Sequence, residues 1–205
     1  MSIYANQVLP RLQDRAMNRH GLREVRARVC AGLSGKVVEI GFGTGLNVAY
    51  YPPQVEKVFA IEPSPVCMNL AHRRIAKSAT PIELAGLTGE HLDLSPEEFD
   101  AVLSTWTMCT IPNLALALQE IRRVLKPQGM LHFVEHGSAP DAKTARWQGR
   151  LEPLHKKFAG GCHLTRRIPE FIENAGFRID HLDTYYFKGE PKPYGFTFEG
   201  RALKS

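Results

Sequence analysis

The sequence predicts a single α/β domain, a largely parallel sheet finished by an antiparallel hairpin, with helices on both faces. Three observations carry this. After Gly35, short apolar runs alternate with helix-period segments, which implies parallel strands joined by crossovers. The first run opens directly into a glycine-rich turn. Two adjacent strand-like segments with a Gly/Pro-rich connection end the chain and read as a hairpin. A length of 205 residues, 43% hydrophobic and 23% charged, suits one well-buried core.

Residues 1–34 read as helical, with Val8, Leu9, Leu12, Ala16 and Met17, then Leu22, Val25, Val29 and Leu33, at helical spacing. Gly21 is expected to break them into two helices. Strands are expected at Lys36–Ile40, Lys57–Ile61, Ile82–Ala85, Asp100–Ser104 and Met130–Glu135, with helices at Pro65–Lys77 and Leu114–Leu125. Lys126-Pro127-Gln128-Gly129 is a turn-forming stop. Residues 137–165 are polar and irregular, partly helical. A helix over Arg166–Ala175 is closed by Gly176. The hairpin strands fall near Phe177–Phe187 and Tyr194–Leu203. Three parts result: a helical lid (1–34), a ligand-binding half (35–136), and a segment with the terminal hairpin (137–205).

Composition excludes several classes. Cys30, Cys67, Cys109 and Cys162 form no C-x-x-C pair, so zinc-ribbon and thioredoxin-like readings fail, and no metal site is expected. The N-terminal residues hold no continuous apolar block, and no run has the length of a transmembrane helix. A cytoplasmic protein is expected. The net charge of +5 comes largely from Arg11, Arg15, Arg19, Arg23, Arg26 and Arg28, and from a second basic stretch between Lys143 and Arg167. Solvated helix faces explain these better than a nucleic-acid surface, because no aromatics interleave.

The chemistry is concentrated in Glu39-Ile40-Gly41-Phe42-Gly43-Thr44-Gly45-Leu46-Asn47. Glycines let the backbone turn sharply and approach a ligand, and a following helix start aims its amides at that ligand. A dinucleotide turn, G-x-G-x-x-G, would need glycine where Leu46 stands. Glu39, two residues before the first glycine, is ill placed beside a pyrophosphate and well placed for an ammonium group. S-adenosyl-L-methionine carries an ammonium and no phosphate. Glu62 closes the next strand, about 20 residues on, where a carboxylate can accept both ribose hydroxyl protons.

VVEIGFGTGLN, VFAIEPS, EEFDAVLSTWTMCTIPN and LALQEIRRVLKPQGMLHFVEH resemble the successive motifs of class I S-adenosylmethionine-dependent methyltransferases over most of residues 36–136. The resemblance implies a Rossmann-like seven-stranded sheet of order 3-2-1-4-5-7-6 with the last hairpin antiparallel. YANQVLPRLQDRAMNR and VEHGSAP…ARWQGRLEPLHKKFAGGCHLTRR further resemble the methyltransferase-like group that includes alkyl-thiol S-methyltransferases. It implies that Glu39, Gly41, Gly43, Thr44, Gly45 and Asn47 surround the methionine part of the cofactor. Glu62 holds the ribose, with Pro63 and Ser64 by the adenine. Gly89 and Glu90 offer backbone contacts to the adenine edge, and Thr105 and Trp106 lie near the sulfonium. The product is S-adenosyl-L-homocysteine.

Methyl transfer from a sulfonium is an in-line displacement, so alignment and desolvation matter most, and a base serves only an acceptor that must lose a proton. His136, at the carboxyl edge after the fifth strand, is the first candidate, since imidazoles titrate near neutral pH. Glu135 and His163 are the alternatives. Cys109 lacks the preceding proline of cytosine-5 methyltransferases, and STWTMC does not match enzymes that methylate planar amines. Tyr4 and Asn6 are expected on the lid, and Trp147, His155 and Phe158 in acceptor binding. The reading is methyl transfer to a small molecule, with a thiol among the acceptors. An RNA-directed methyltransferase and a non-catalytic cofactor-binding module are the alternatives.

Overall fold

The computed structural model describes residues 7–205, so Tyr4 and Asn6 lie outside the described residues. Seven strands form one sheet of order β3-β2-β1-β4-β5-β7-β6. They are β1 (Gly35–Ile40), β2 (Val55–Ile61), β3 (Ile82–Gly86), β4 (Phe99–Thr105), β5 (Leu125–His136), β6 (Phe177–Tyr186) and β7 (Phe196–Lys204). The first five pair in parallel and β7 runs antiparallel to both β5 and β6, as the sequence predicts.

Helices α1 (Leu9–Ala16), α2 (His20–Cys30), α3 (Pro65–Ile75), α4 (Leu114–Val124), α5 (Ala142–Phe158), α6 (Ile168–Asn174) and α7 (Lys192–Gly195) cover the sheet. Strand alternation splits the core in two. Val38, Ile40, Val102, Leu131 and Phe133 point to the side of α4 and α6, where Leu118, Ile121 and Ile172 meet them. Val37, Val58, Leu103 and Val134 point to the other side, against Val25, Val29 and Cys30 of α2. Each fully buried aliphatic or aromatic side chain contributes about 1.5–3 kcal/mol, so this two-faced burial dominates stability.

Several local expectations are corrected. The break between the first two helices falls at residues 17–19, and Gly21 sits in the first turn of α2. The glycine turn does not open a regular helix; only a short 3₁₀ turn, Val48–Tyr50, follows it. Extended pairing starts at Leu125, so Lys126–Gly129 is a kink inside β5, with Gln128 in the left-handed region at φ 68°. The segment after β5 contains a 17-residue helix, α5, despite Pro153. Asp141 starts it by accepting from the Thr144 amide.

Strand register fixes where the site lies. Ile40 stands beside Ile61 on one side and Ser104 on the other. Thr105 stands beside Val134, and His136 beside Thr197. Gly41, Glu62 and Trp106, just past these positions, and His136 at the end of β5 therefore line up along the carboxyl edge of the sheet.

Candidate active site

The glycine turn is shaped by sterics. Gly41 has φ 72°, and a Cβ there would sit 2.1 Å from Thr107 Oγ1. Gly43, at φ 59°, faces open space; among the described residues an added Cβ would meet just the Gly41 carbonyl, at 3.8 Å. One glycine lets the chain pass under the loop after β4, and the next leaves room for a ligand. Glu62 ties this turn to the end of β2. Its two oxygens accept from the Gly43 amide at 2.7 Å and the Ser64 amide at 2.8 Å. Burial raises its pKa against those two amide bonds. Ser64 also caps α3 through its hydroxyl.

Below the turn lies a buried network. Asn47 donates to Glu39 at 2.8 Å and to Thr105 Oγ1 at 3.0 Å. Tyr51 donates to the second Glu39 oxygen. Arg26 donates to Asn47 Oδ1 at 2.6 Å and lies 4.9 Å from the Trp106 ring centroid. Burial pushes the Glu39 carboxyl up to about 7, with Tyr51, Asn47 and Arg26 working in the opposite direction. Trp106 adopts φ 52°, a left-handed conformation costly for an aromatic residue, with its amide donating to the Val134 carbonyl at 2.7 Å and its ring against Arg26.

Arg26 was placed on a solvated basic face by its spacing, and the structure corrects this. It is 5% exposed, inside the stripe Leu22, Val25, Val29 and Cys30. Among the described residues its Nε is buried without a hydrogen-bond partner. A charged residue at i+4 within an apolar stripe is the signal that could have revealed it. The remaining arginines of that series differ. Arg28 forms a bidentate pair with Glu199, and Arg19 pairs with Glu190.

Helix α1 packs onto the turn. Asp14 accepts from Thr44 Oγ1 at 2.6 Å and from Arg74 at 2.8 Å, while Arg74 also donates to the Thr44 carbonyl at 2.7 Å. Thr44 thus spends its hydroxyl on α1. Gly89 packs against Ile40, and Glu90 accepts from the Asn113 amide at 2.6 Å, fixing the start of α4. Pro63 is exposed on the rim.

Beside this cradle is a cavity of about 380 Å³. Met17, Leu22, Trp106 and Phe187 give it apolar walls, and Arg19, His136, His155, Glu190, Tyr194 and Thr197 add polar ones. His136 thus lies where the sequence placed it. Glu135 does not reach the cavity. It is fully buried and accepts from Ser104 Oγ and from the amides of Thr107, Met108 and Cys109. Those four bonds make it the anchor of the loop after β4. His163 pairs with Glu152 at 3.2 Å and is not among the cavity-lining residues. Burial lowers its pKa. Trp147 and Phe158 are about half exposed on α5, leaving His155 as the expected acceptor residue that the cavity includes.

A methyltransferase-domain family model matches residues 38–133. The chain is 35% identical over 179 residues to thiol S-methyltransferase TMT1B of Rattus norvegicus, covering 84% of this chain and 73% of that protein. It is 36% identical to the Homo sapiens TMT1B over the same shares. The chain belongs to the class I S-adenosylmethionine-dependent methyltransferases. A solved S-adenosylmethionine-dependent methyltransferase of Thermotoga maritima, titled a possible histamine N-methyltransferase, superposes with TM-score 0.71 at 22% identity. The match covers 99% of both chains. A putative methyltransferase solved with the Haloferax volcanii Trm112 activator gives TM-score 0.70 at 13% identity. Both support the fold.

S-adenosylmethionine is therefore the cofactor, and the residues present fit it: an open cradle at Gly43, a carboxylate at Glu62, and the unpartnered Arg26 Nε. Bound there, it supplies an electrophilic methyl group on a sulfonium. Among the described residues, no helix is long and apolar enough to cross a membrane.

Proposed function

We propose that this methyltransferase moves the methyl group to a small thiol held in the cavity at the carboxyl edge of β4 and β5. The observation that carries this reading is the cavity itself. Trp106, the residue expected beside the sulfonium, forms its wall, and its other apolar surfaces come from Met17, Leu22 and Phe187. Such a pocket suits an acceptor with an apolar body and a polar end. The thiol S-methyltransferase relatives support sulfur as the acceptor atom.

In this reading Glu62 takes the ribose hydroxyls. Glu39, Asn47 and Arg26 set the field around the amino-acid end, the carboxylate favouring the ammonium and the guanidinium the carboxylate. A thiol must lose its proton before it can attack, and His136 and His155 bring two imidazoles to the cavity wall. Glu135 acts one step back by holding the loop of Thr107–Cys109. Helix α1 covers the turn as a lid, supported by the Asp14–Thr44–Arg74 contacts and by Leu9 and Gln13 lying near Gly160.

The test is a screen of alkyl and aryl thiols, with phenols and amines as comparison, reading S-adenosylhomocysteine and the methylated product. Methyl thioethers forming fastest are expected, and Glu62→Ala should weaken cofactor binding by about 30-fold or more through loss of a charged acceptor of two hydrogen bonds. Faster methylation of phenols or amines than of any thiol would defeat the sulfur assignment.

A further inference from the structure

Cys109, Cys162 and His136 are separated by dozens of residues in sequence, yet the fold gathers them. One ligand atom from each, two Sγ and an imidazole nitrogen, all lie within 4.8 Å of one another. Cys162 Sγ is 3.9 Å from His136 Nδ1. In a tetrahedral zinc shell with bonds of about 2.0–2.3 Å, such atoms stand about 3.5–3.8 Å apart. The cluster therefore needs only a small contraction to close on an ion.

Each ligand is held by a rigid support. Cys109 lies in the loop anchored on Glu135, with its amide bound to that carboxylate at 3.1 Å. His163 N donates to the Cys109 carbonyl at 2.8 Å, which locks the Cys162 turn against the Cys109 loop. His136 ends β5, paired with Thr197 of β7. Arg166 bonds the carbonyls of Met108 and Ile111 and places its positive charge beside both thiols. Both cysteines are buried, while His136 also lines the acceptor cavity.

We propose that Cys109, Cys162 and His136 form a three-ligand site for a soft divalent cation of the zinc class, buried behind the part of the acceptor cavity that His136 lines. Two thiolates, one neutral imidazole and a dication make a neutral unit, and binding releases two thiol protons. Three protein ligands leave one coordination position. That position takes the acceptor thiol, an inference resting on the thiol reading above. A coordinated thiol loses its proton outright, so the ion would replace a free imidazole as the means of forming the nucleophile.

The test uses the full chain, reduced with a phosphine, titrated with cobalt(II) and then zinc(II). Expected is saturable one-to-one binding with a sulfur-to-cobalt charge-transfer band that zinc abolishes. Cys109→Ser and Cys162→Ser should lower zinc affinity by more than about 100-fold, beyond what outer-shell changes produce, whereas Cys67→Ser keeps it. A wild-type protein with no such band, or a band unchanged in both serine variants, overturns the site. A small alkyl thiol should then shift the cobalt spectrum; no shift overturns the acceptor position. S-adenosylmethionine titration of the same samples reports folding and cofactor binding independently of the metal, and the acceptor screen above, run on metal-free protein, tests the thiol reading by itself, so the two failures are distinguishable.

Discussion

The two halves of the proposed active site are built in opposite ways. The cofactor cradle uses contiguous sequence: Glu39 through Asn47 form the turn and much of the network beneath it, and Glu62 follows one crossover later. The acceptor cavity draws on Met17, Trp106, His136, His155, Phe187 and Tyr194, which come from both ends and the middle of the chain. In that proposal the first half takes an invariant molecule, so local spacing can encode it. The second is made by tertiary packing, and no short motif contains it.

The sharpest way to break the cradle alone is Gly41→Ala. The new Cβ meets Thr107 Oγ1 at 2.1 Å and Thr107 Cβ at 2.7 Å, on a backbone held at φ 72°. Left-handed strain and overpacking each cost about 1–3 kcal/mol. A thermal midpoint lowered by roughly 5 °C or more is expected, together with loss of calorimetric S-adenosylmethionine binding. Unchanged binding would mean that the turn adjusts freely and that its shape is not what selects the cofactor.

Arg26 tests where the two halves join, because it touches the cradle through Asn47 and the cavity wall through Trp106. Arg26→Met should weaken cofactor binding about tenfold, since Asn47 Oδ1 loses its partner. Arg23→Met, on the exposed face of the same helix, should change little. Equal effects would return Arg26 to the solvated series in which its spacing alone places it.

That residue also shows where the sequence was legible. The strand segments, the hairpin, the glycine turn and both acids follow from periodicity and from the position of three glycines, whereas the strand order follows only from the family resemblance. The exceptions have physical causes. Helix α5 carries Pro153 and a half-exposed Trp147, so its apolar stripe is weak. Glu135 reads as a candidate base because a carboxylate at a strand end can be catalytic. Only the geometry shows its oxygens committed to three amides and a hydroxyl. The Cys109–His136–Cys162 cluster has no sequence spacing that could announce it.

A pH series sharpens the electrostatic part of the comparison. Glu39, buried, has its pKa raised from 4.5 to about 7. Its stabilising contribution to the unliganded fold is thus complete below about pH 4.5 and is lost as pH rises through about 7. An ammonium ligand prefers the ionised form, so cofactor affinity should climb with pH through that window, by at most tenfold per unit. Binding near pH 6.5 should release a proton, seen as a calorimetric heat that depends on the buffer's ionisation enthalpy. Glu39→Gln should remove that dependence. The same proton release in Glu39→Gln would assign it elsewhere.

The smallest effect concerns the lid. Asp14 and Arg74 are 22% and 30% exposed at their side chains, so solvent screens their attraction. An exposed pair contributes roughly 0.2–1 kcal/mol. Asp14→Ala should therefore raise the S-adenosylmethionine dissociation constant only about two- to fivefold, mainly through a faster off-rate in stopped-flow displacement. Because Leu9 and Gln13 on the same helix lie near Gly160, a lid that spans both halves should also raise the acceptor KM slightly. A change confined to the cofactor would show that α1 clasps the glycine turn without closing over the acceptor.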